Sequence, residues 1–237
     1  MIEARQNLAV AELGVVEYRR ALALQAAMVQ ARIDGTIGDT LLLLEHPRVY
    51  TLGRGADEKF IVAPRPEVPV LRVSRGGQVT FHGPGQIVGY PILKLEGSAR
   101  DVAKYLRALE AAMIAALARC RIEAGRRAGL TGVWAGARKL ASIGVGIRRW
   151  VTYHGLALNV SNDLSYFDSI VPCGIEGCEM TSIARLGRPD IGVAEFAKIL
   201  AESFRETFAY ATASSSDGAA LWTLVDPPDA PAEDRIA

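Results

Sequence analysis

The stretch GLTGVWAGARKLASIGVGIRRWVTYHGLAL, residues 129–158, decides the fold class of this chain. It reads as consecutive short strands, Thr131 to Trp134, Lys139 to Ile147 and Val151 to Val160, with glycine at the breaks and Arg148-Arg149 as a turn in a meander. Upstream, Val102, Tyr105, Leu106, Leu109, Met113, Ala116, Leu117 and Cys120 recur at helical spacing. Ser98 and Asp101 stand at the spacing of a capping box before that helix. Downstream, a second helix is expected over about 192–210, with Val193, Phe196, Leu200, Phe204 and Phe208 on one face and Asp190 as its cap. Runs of strands separated by helices, without regular βαβ alternation, predict an α+β fold.

Further toward the N-terminus, RGGQVTFHGPGQIVGYP (75–91) holds five glycines, two prolines and His82 around the strand-like Gln78-Val79-Thr80-Phe81. Glycine weakens regular elements and proline removes a ladder donor, so this is the wall of a site rather than core sequence. Ahead of it the spacing predicts a helix over 12–32, closed by Asp34-Gly35, and strands at 40–44, 49–52 and 69–73. Residues 56–68 read as loop. From Ser214 the composition turns polar and acidic (Asp217, Asp226, Asp229, Glu233, Asp234). One domain over 1–213 is therefore expected, followed by a mobile tail on which Trp222 and Leu224 dock only transiently.

Half of the residues are hydrophobic and the formal net charge is +1, which suits a globular core and leaves no electrostatic footprint for nucleic acid or a membrane surface. No stretch has the length or flanks of a membrane span or a secretory signal. Three cysteines are too few for a disulfide framework, and the three histidines at 46, 82 and 154 are scattered without metal-ligand spacing. The reading is a reduced, cytoplasmic protein with no metal and no cofactor. Phosphate-binding loops, a dinucleotide fingerprint and the nucleophile elbow of hydrolases are absent from the sequence.

Cys173 differs from Cys120, which lies on an apolar helix face, because Pro172 and Gly174 flank it in a loop and leave room at the sulfur. Attack requires the thiolate, and an unperturbed thiol near ~8.5 is only a few per cent ionised at neutral pH. Lys139 and His82 are the candidate cationic neighbours. A loop cysteine is often inert and a strand-end lysine is usually solvated, so the residues alone leave both readings open. Gly144 and Gly146 strip one face of their strand of side chains, a slot suited to an extended acyl chain at about 0.8 kcal/mol per buried methylene.

Three segments, RGGQVTFHGPGQIVGYPIL (75–93), GVWAGARKLASIGVGIRRWVTYHGLALNV (132–160) and VPCGIEGCEMTSI (171–183), together resemble the lipoyl(octanoyl) transferases. The resemblance runs in order to about residue 210 and leaves the tail uncovered. It implies a mixed β-sheet flanked by helices, like the catalytic domain of biotin and lipoate protein ligases. The implied activity takes octanoyl from octanoyl-acyl carrier protein to a specific lysine of lipoyl domains. Acceptors of that kind are carried by 2-oxoacid dehydrogenases and the glycine cleavage H protein. On this resemblance Cys173 is the acyl-thioester nucleophile, and Lys139 lowers its pKa and shuttles protons. The substrate-binding segments fall on Arg75, Gly76, Gly77, Gln78, Val79, Thr80, Phe81 and His82, on Ser142, Ile143 and Gly144, and on Gly155, Leu156 and Ala157.

Amides of Gly76, Gly77 and Gly83 are expected to approach the thioester carbonyl, with His82 positioning the site. Acidic carrier domains are expected to meet a basic rim of Arg54, Arg75, Arg126, Arg127, Arg138, Arg148 and Arg149. The alternatives are an ATP-dependent lipoate or biotin ligase on the same fold, and a non-catalytic module binding acyl chains or carrier proteins.

Overall fold

The computed structural model describes residues 5–63 and 65–225. Its centre is an eight-stranded mixed sheet in the order β11-β1-β2-β6-β10-β9-β8-β7. The strands are β1 (Arg5–Val15), β2 (Thr40–Glu45), β6 (Gln86–Ile92), β7 (Gly125–Arg127), β8 (Leu130–Ala135), β9 (Arg138–Arg148), β10 (Val151–Asn159) and β11 (Tyr210–Ser215). A second sheet, β4-β3-β5, is built from β3 (Val49–Leu52), β4 (Val70–Arg72) and β5 (Val79–His82). The predicted meander is β8-β9-β10. Its tight turn is Arg149-Trp150, both residues at positive φ (48° and 63°), the twist a two-residue hairpin requires.

Helices cover both faces of the large sheet. Helix α1 (Tyr18–Asp34) packs Ala21, Leu24 and Met28 against Leu42, Leu44, Val88 and Tyr90. Helices α2 (Val102–Arg119) and α3 (Val193–Thr207) pack Leu109, Met113, Phe196 and Phe204 against the opposite face through Leu41, Leu43, Leu156 and Leu158. Strands sandwiched in this way are buried on both sides, which is why Thr40-Leu-Leu-Leu-Leu44 is a continuous apolar run rather than an alternation.

Several expected boundaries move. Residues 5–15 form β1, and the helix begins at Tyr18, capped by Glu17, whose side chain accepts from the Arg20 amide. The apolar residues Leu13 and Val16 fit a helical spacing by coincidence; long-range pairing of β1 with β2 and β11 overrides it. Ser98 caps nothing. Asp101 is itself the N-cap of α2, accepting from the Lys104 amide, while Asp190 pairs with Arg188 and leaves α3 to start at Gly192. Strand β7 is an addition to the sequence reading.

Beyond Ser214, Ser214 and Ser215 complete β11 beside β1, and the short helix α4 (Gly218–Leu221) follows. Trp222 packs with the α1 cluster, and the Arg20 guanidinium lies 4.4 Å from its ring centre. The acidic residues Asp226, Asp229, Glu233 and Asp234 lie outside the described residues. Among the described residues no helix is long and apolar enough to cross a membrane.

Candidate active site

Lys139 and Cys173, the two candidate chemical groups, come from distant segments held together by backbone bonds. Lys139 lies at the start of β9. Its amide donates to Glu179 O at 2.8 Å, and its carbonyl accepts from Thr181 N at 2.9 Å. The chain that returns from Cys173 is thereby zipped onto β9. At the other end of that loop, Val171 N donates to Phe60 O at 2.7 Å, anchoring it to the small sheet. Between the anchors, Pro172-Cys173-Gly174 makes a single tight turn with Cys173 at φ 56°, a left-handed conformation costly for a residue with a Cβ. That turn delivers the sulfur to Lys139: Nζ donates to Sγ at 2.9 Å, and Ser142 Oγ lies 3.6 Å from the same sulfur.

Lys139 is only 1% exposed, against the usual solvated lysine at a strand end. A buried ammonium needs a partner. Among the described residues no carboxylate lies within ion-pair distance of it, so the sulfur takes that place, with the Trp134 ring centre 5.5 Å away. Hydrogen bonding to an ammonium favours the anionic form of a sulfur. The other two thiols have the opposite character: burial pushes Cys120 and Cys178 up, toward the unreactive protonated form.

Room for the lysine is made by Gly132 on β8, at φ 125°. A Cβ there would lie 2.9 Å from Lys139 Cε and 2.5 Å from Ala141 O. The Gly132 amide donates to Oε1 of the fully buried Glu110 at 3.0 Å, and Arg107 and Arg126 neutralise the other oxygen at 2.6 and 2.9 Å. Arg126 is thus committed to Glu110 rather than free on a docking rim. Gly132→Ala is expected to displace the lysine and lower turnover at least about tenfold, the lower part of the range for a positioned proton-transfer group. The rate of Cys173 alkylation by iodoacetamide should fall in parallel, and an unchanged rate would show that Lys139 had not moved.

The sulfur opens on a cavity of about 440 Å³ whose wall includes Arg75, Gly76, Gly77, Gln78, Thr80, His82, Ser142, Ile143, Gly144, Gly155, Leu156 and Ala157. Two of the expected residues face away. Side chains alternate along β5, so Thr80 and His82 point into the cavity while Val79 and Phe81 are buried in the core of the small sheet, Phe81 stacking on Tyr166 at 4.7 Å. Gly83 is not part of the wall, and the Gly76 amide is spent on Val145 O at 2.9 Å, so neither is a donor for an oxyanion. The slot expected over Gly144 and Gly146 is half filled, because a Cβ on Gly146 would lie 2.2 Å from Cζ of Tyr153.

Tyr18, Val88, Tyr90 and His154 also line the cavity. Their assembly is invisible in the sequence, where the three histidines stand far apart. In the fold, His46 lies 5.7 Å from His82, and Tyr18 lies between them at 4.7 and 5.7 Å, measured between ring centres. Bonding partners assign the protons. His46 Nδ1 donates to Val16 O and its Nε2 accepts from the Tyr90 hydroxyl, both at 2.7 Å; His82 Nδ1 donates to Gln86 Oε1 at 2.7 Å. Burial holds His46 down to about 4, and burial with the Arg75 charge holds His154 down to about 3. Burial also keeps His82 well below its ordinary value, so it is neutral and is not the cation beside Cys173. Arg75 is buried too, donating to the carbonyls of Thr51, Gly76 and Gln78 and to Thr51 Oγ1, and so is absent from any surface rim. No group of side chains among the described residues has the makings of a metal site.

Fold and site together define a class: a catalytic domain in which a lysine-paired cysteine opens onto a cavity between two sheets. Residues 17–205 match the lipoyl protein ligase A/B catalytic domain family, and the chain belongs to it. It is 51% identical over 179 residues to the octanoyltransferase of Geobacter metallireducens, covering 75% of this chain and 83% of that one. It is 49% identical over 195 residues to the octanoyltransferase of Geobacter sulfurreducens, covering 82% of each. The crystal structure of lipoate-protein ligase A bound with ATP superposes with a TM-score of 0.71 at 16% identity, over 93% of this chain and 92% of that one; it shares the fold.

Proposed function

We propose that this chain is an octanoyltransferase that takes the acyl group from octanoyl-acyl carrier protein onto Cys173 and passes it to a lysine of a lipoyl domain. The observation that carries the reading is the 2.9 Å contact between Lys139 Nζ and Cys173 Sγ at the mouth of the cavity. The thiolate attacks the thioester carbonyl; as the tetrahedral oxyanion collapses, the carrier sulfur leaves with a proton from the Lys139 ammonium. Lys139, now an amine, takes the proton that the acceptor lysine sheds as it attacks the acyl-cysteine, and Cys173 departs as the thiolate. The cycle restores the starting pair and consumes neither ATP nor metal. Free thiols at all three cysteines support a reducing, cytoplasmic setting. Lipoyl domains of 2-oxoacid dehydrogenases and the glycine cleavage H protein are the proposed acceptors.

Incubation with octanoyl-acyl carrier protein alone should leave one octanoyl group on the peptide carrying Cys173, detectable by mass spectrometry and discharged when a lipoyl domain is added. Transfer that occurs only with ATP, or an adduct on Cys178 or Cys120, would overturn the mechanism.

A further inference from the structure

Resting on that reading, the cavity also contains a device for measuring the acyl chain. Ser142 on β9, Ala157 on β10 and Val88 on β6 are direct partners in register, so their side chains form one row on the face that carries Cys173. Adjacent strands stand about 4.8 Å apart, giving the row a span of roughly 9.6 Å. An extended eight-carbon chain, advancing roughly 1.25 Å per bond at ordinary tetrahedral geometry, is about 9 Å long.

The other directions from the sulfur are closed. Along β9 the next position on this face is Gly144, and the Arg75-Gly76 segment lies over it: a Cβ there would stand 2.8 Å from Gly76 O and 2.9 Å from Arg75 Cδ. The opposite way, the bonded amides of Gln86, Asn159 and Asn162 block the face, with Asn159 Oδ1 accepting at 2.9 and 3.1 Å. Across the strands the path runs over the small Ser142 and Ala157 to Val88, in the wall that also holds Tyr18, Tyr90 and His82. These three are buried and bonded to one another or to partners behind: Tyr18 to Tyr90, Tyr90 to His46, and His82 to Gln86. A ninth or tenth carbon would have to break polar bonds that lack water to replace them, a cost that exceeds the gain from burying a methylene.

We infer that the Ser142-Ala157-Val88 row and its polar end wall of Tyr18, Tyr90 and His82 limit the acyl group to about eight carbons. The test compares kcat/KM for hexanoyl, octanoyl, decanoyl and dodecanoyl carrier-protein thioesters in the full chain and two variants. Ala157→Leu obstructs the middle of the row and should raise the hexanoyl-to-octanoyl ratio roughly tenfold; Tyr18→Ala opens the end and should raise the decanoyl-to-octanoyl ratio by a similar factor, two methylenes' worth of burial. Chain-length profiles of Ala157→Leu that parallel the parent's overturn the ruler, even if Tyr18→Ala proves too unstable to purify. A parent enzyme that transfers dodecanoyl as well as octanoyl overturns it too, while leaving the acyl-transfer reading intact. Absence of transfer from every thioester would instead strike at that reading.

Discussion

Replacing Lys139 with methionine is expected to lower octanoyl transfer by about three orders of magnitude, within the range for a positioned proton-transfer group. Methionine keeps the length and apolar stem of the side chain, so the pocket that Gly132 leaves for it stays filled. What is removed is the donor 2.9 Å from the Cys173 sulfur and the proton carrier of both half-reactions. Two measurements separate these roles. Iodoacetamide should alkylate Cys173 far more slowly in the variant at neutral pH, because the thiolate loses its partner. The acyl-enzyme, once forced by long incubation, should also discharge slowly to a lipoyl domain. If alkylation slows and discharge does not, the lysine acts on the sulfur alone. Cys173→Ser should be below detection in both half-reactions, since a hydroxyl beside an ammonium is not a comparable nucleophile.

Acidification is expected to unfold the protein steeply between pH 6.5 and about 4. His46 and His154 are held down to about 4 and about 3, and His82 is lowered in the same way. The unfolded chain takes up these protons below 6.5 while the folded protein refuses them, so full stability exists above 6.5 and is lost as pH falls. Each pH unit between a group's folded and unfolded pKa is worth about 1.36 kcal/mol, so His46 and His154 account for penalties on the order of 3 and 5 kcal/mol at the acid end. Together these match the whole stability of a typical domain, roughly 5–15 kcal/mol. Denaturant unfolding at half-unit steps from pH 7.5 to 5 should show proton uptake on unfolding approaching three. A midpoint unchanged over that range would mean that the cluster is already charged or solvated. His46→Gln should reduce the uptake by about one proton.

Much of the site is legible in the sequence because its chemistry sits in short, unusual segments. Pro172-Cys173-Gly174 announces an accessible thiol, and the glycine-rich run from Arg75 announces a wall that backbone approaches. What the residues do not disclose is direction. Val79 and Phe81 lie inside the expected segment yet face the small sheet, because the period of two along β5 assigns only every second side chain to the cavity. Spacing alone makes Gly146 part of a bare strip; Tyr153, seven residues later on the neighbouring strand, fills it.

By itself the sequence determined the periodic elements, the meander and the family, since those depend on spacing within windows of a few to some twenty residues. Only the tertiary structure decided the burial of Lys139, the meeting of three dispersed histidines with two tyrosines, and the conversion of an expected helix start into β1. Each follows from pairings between distant segments, such as β1 with β11 across some two hundred residues, whose energy is invisible to local pattern. Stretch 129–158 therefore predicted a set of strands, but the register of β9 and β10 with β6 decided which of their side chains line the cavity.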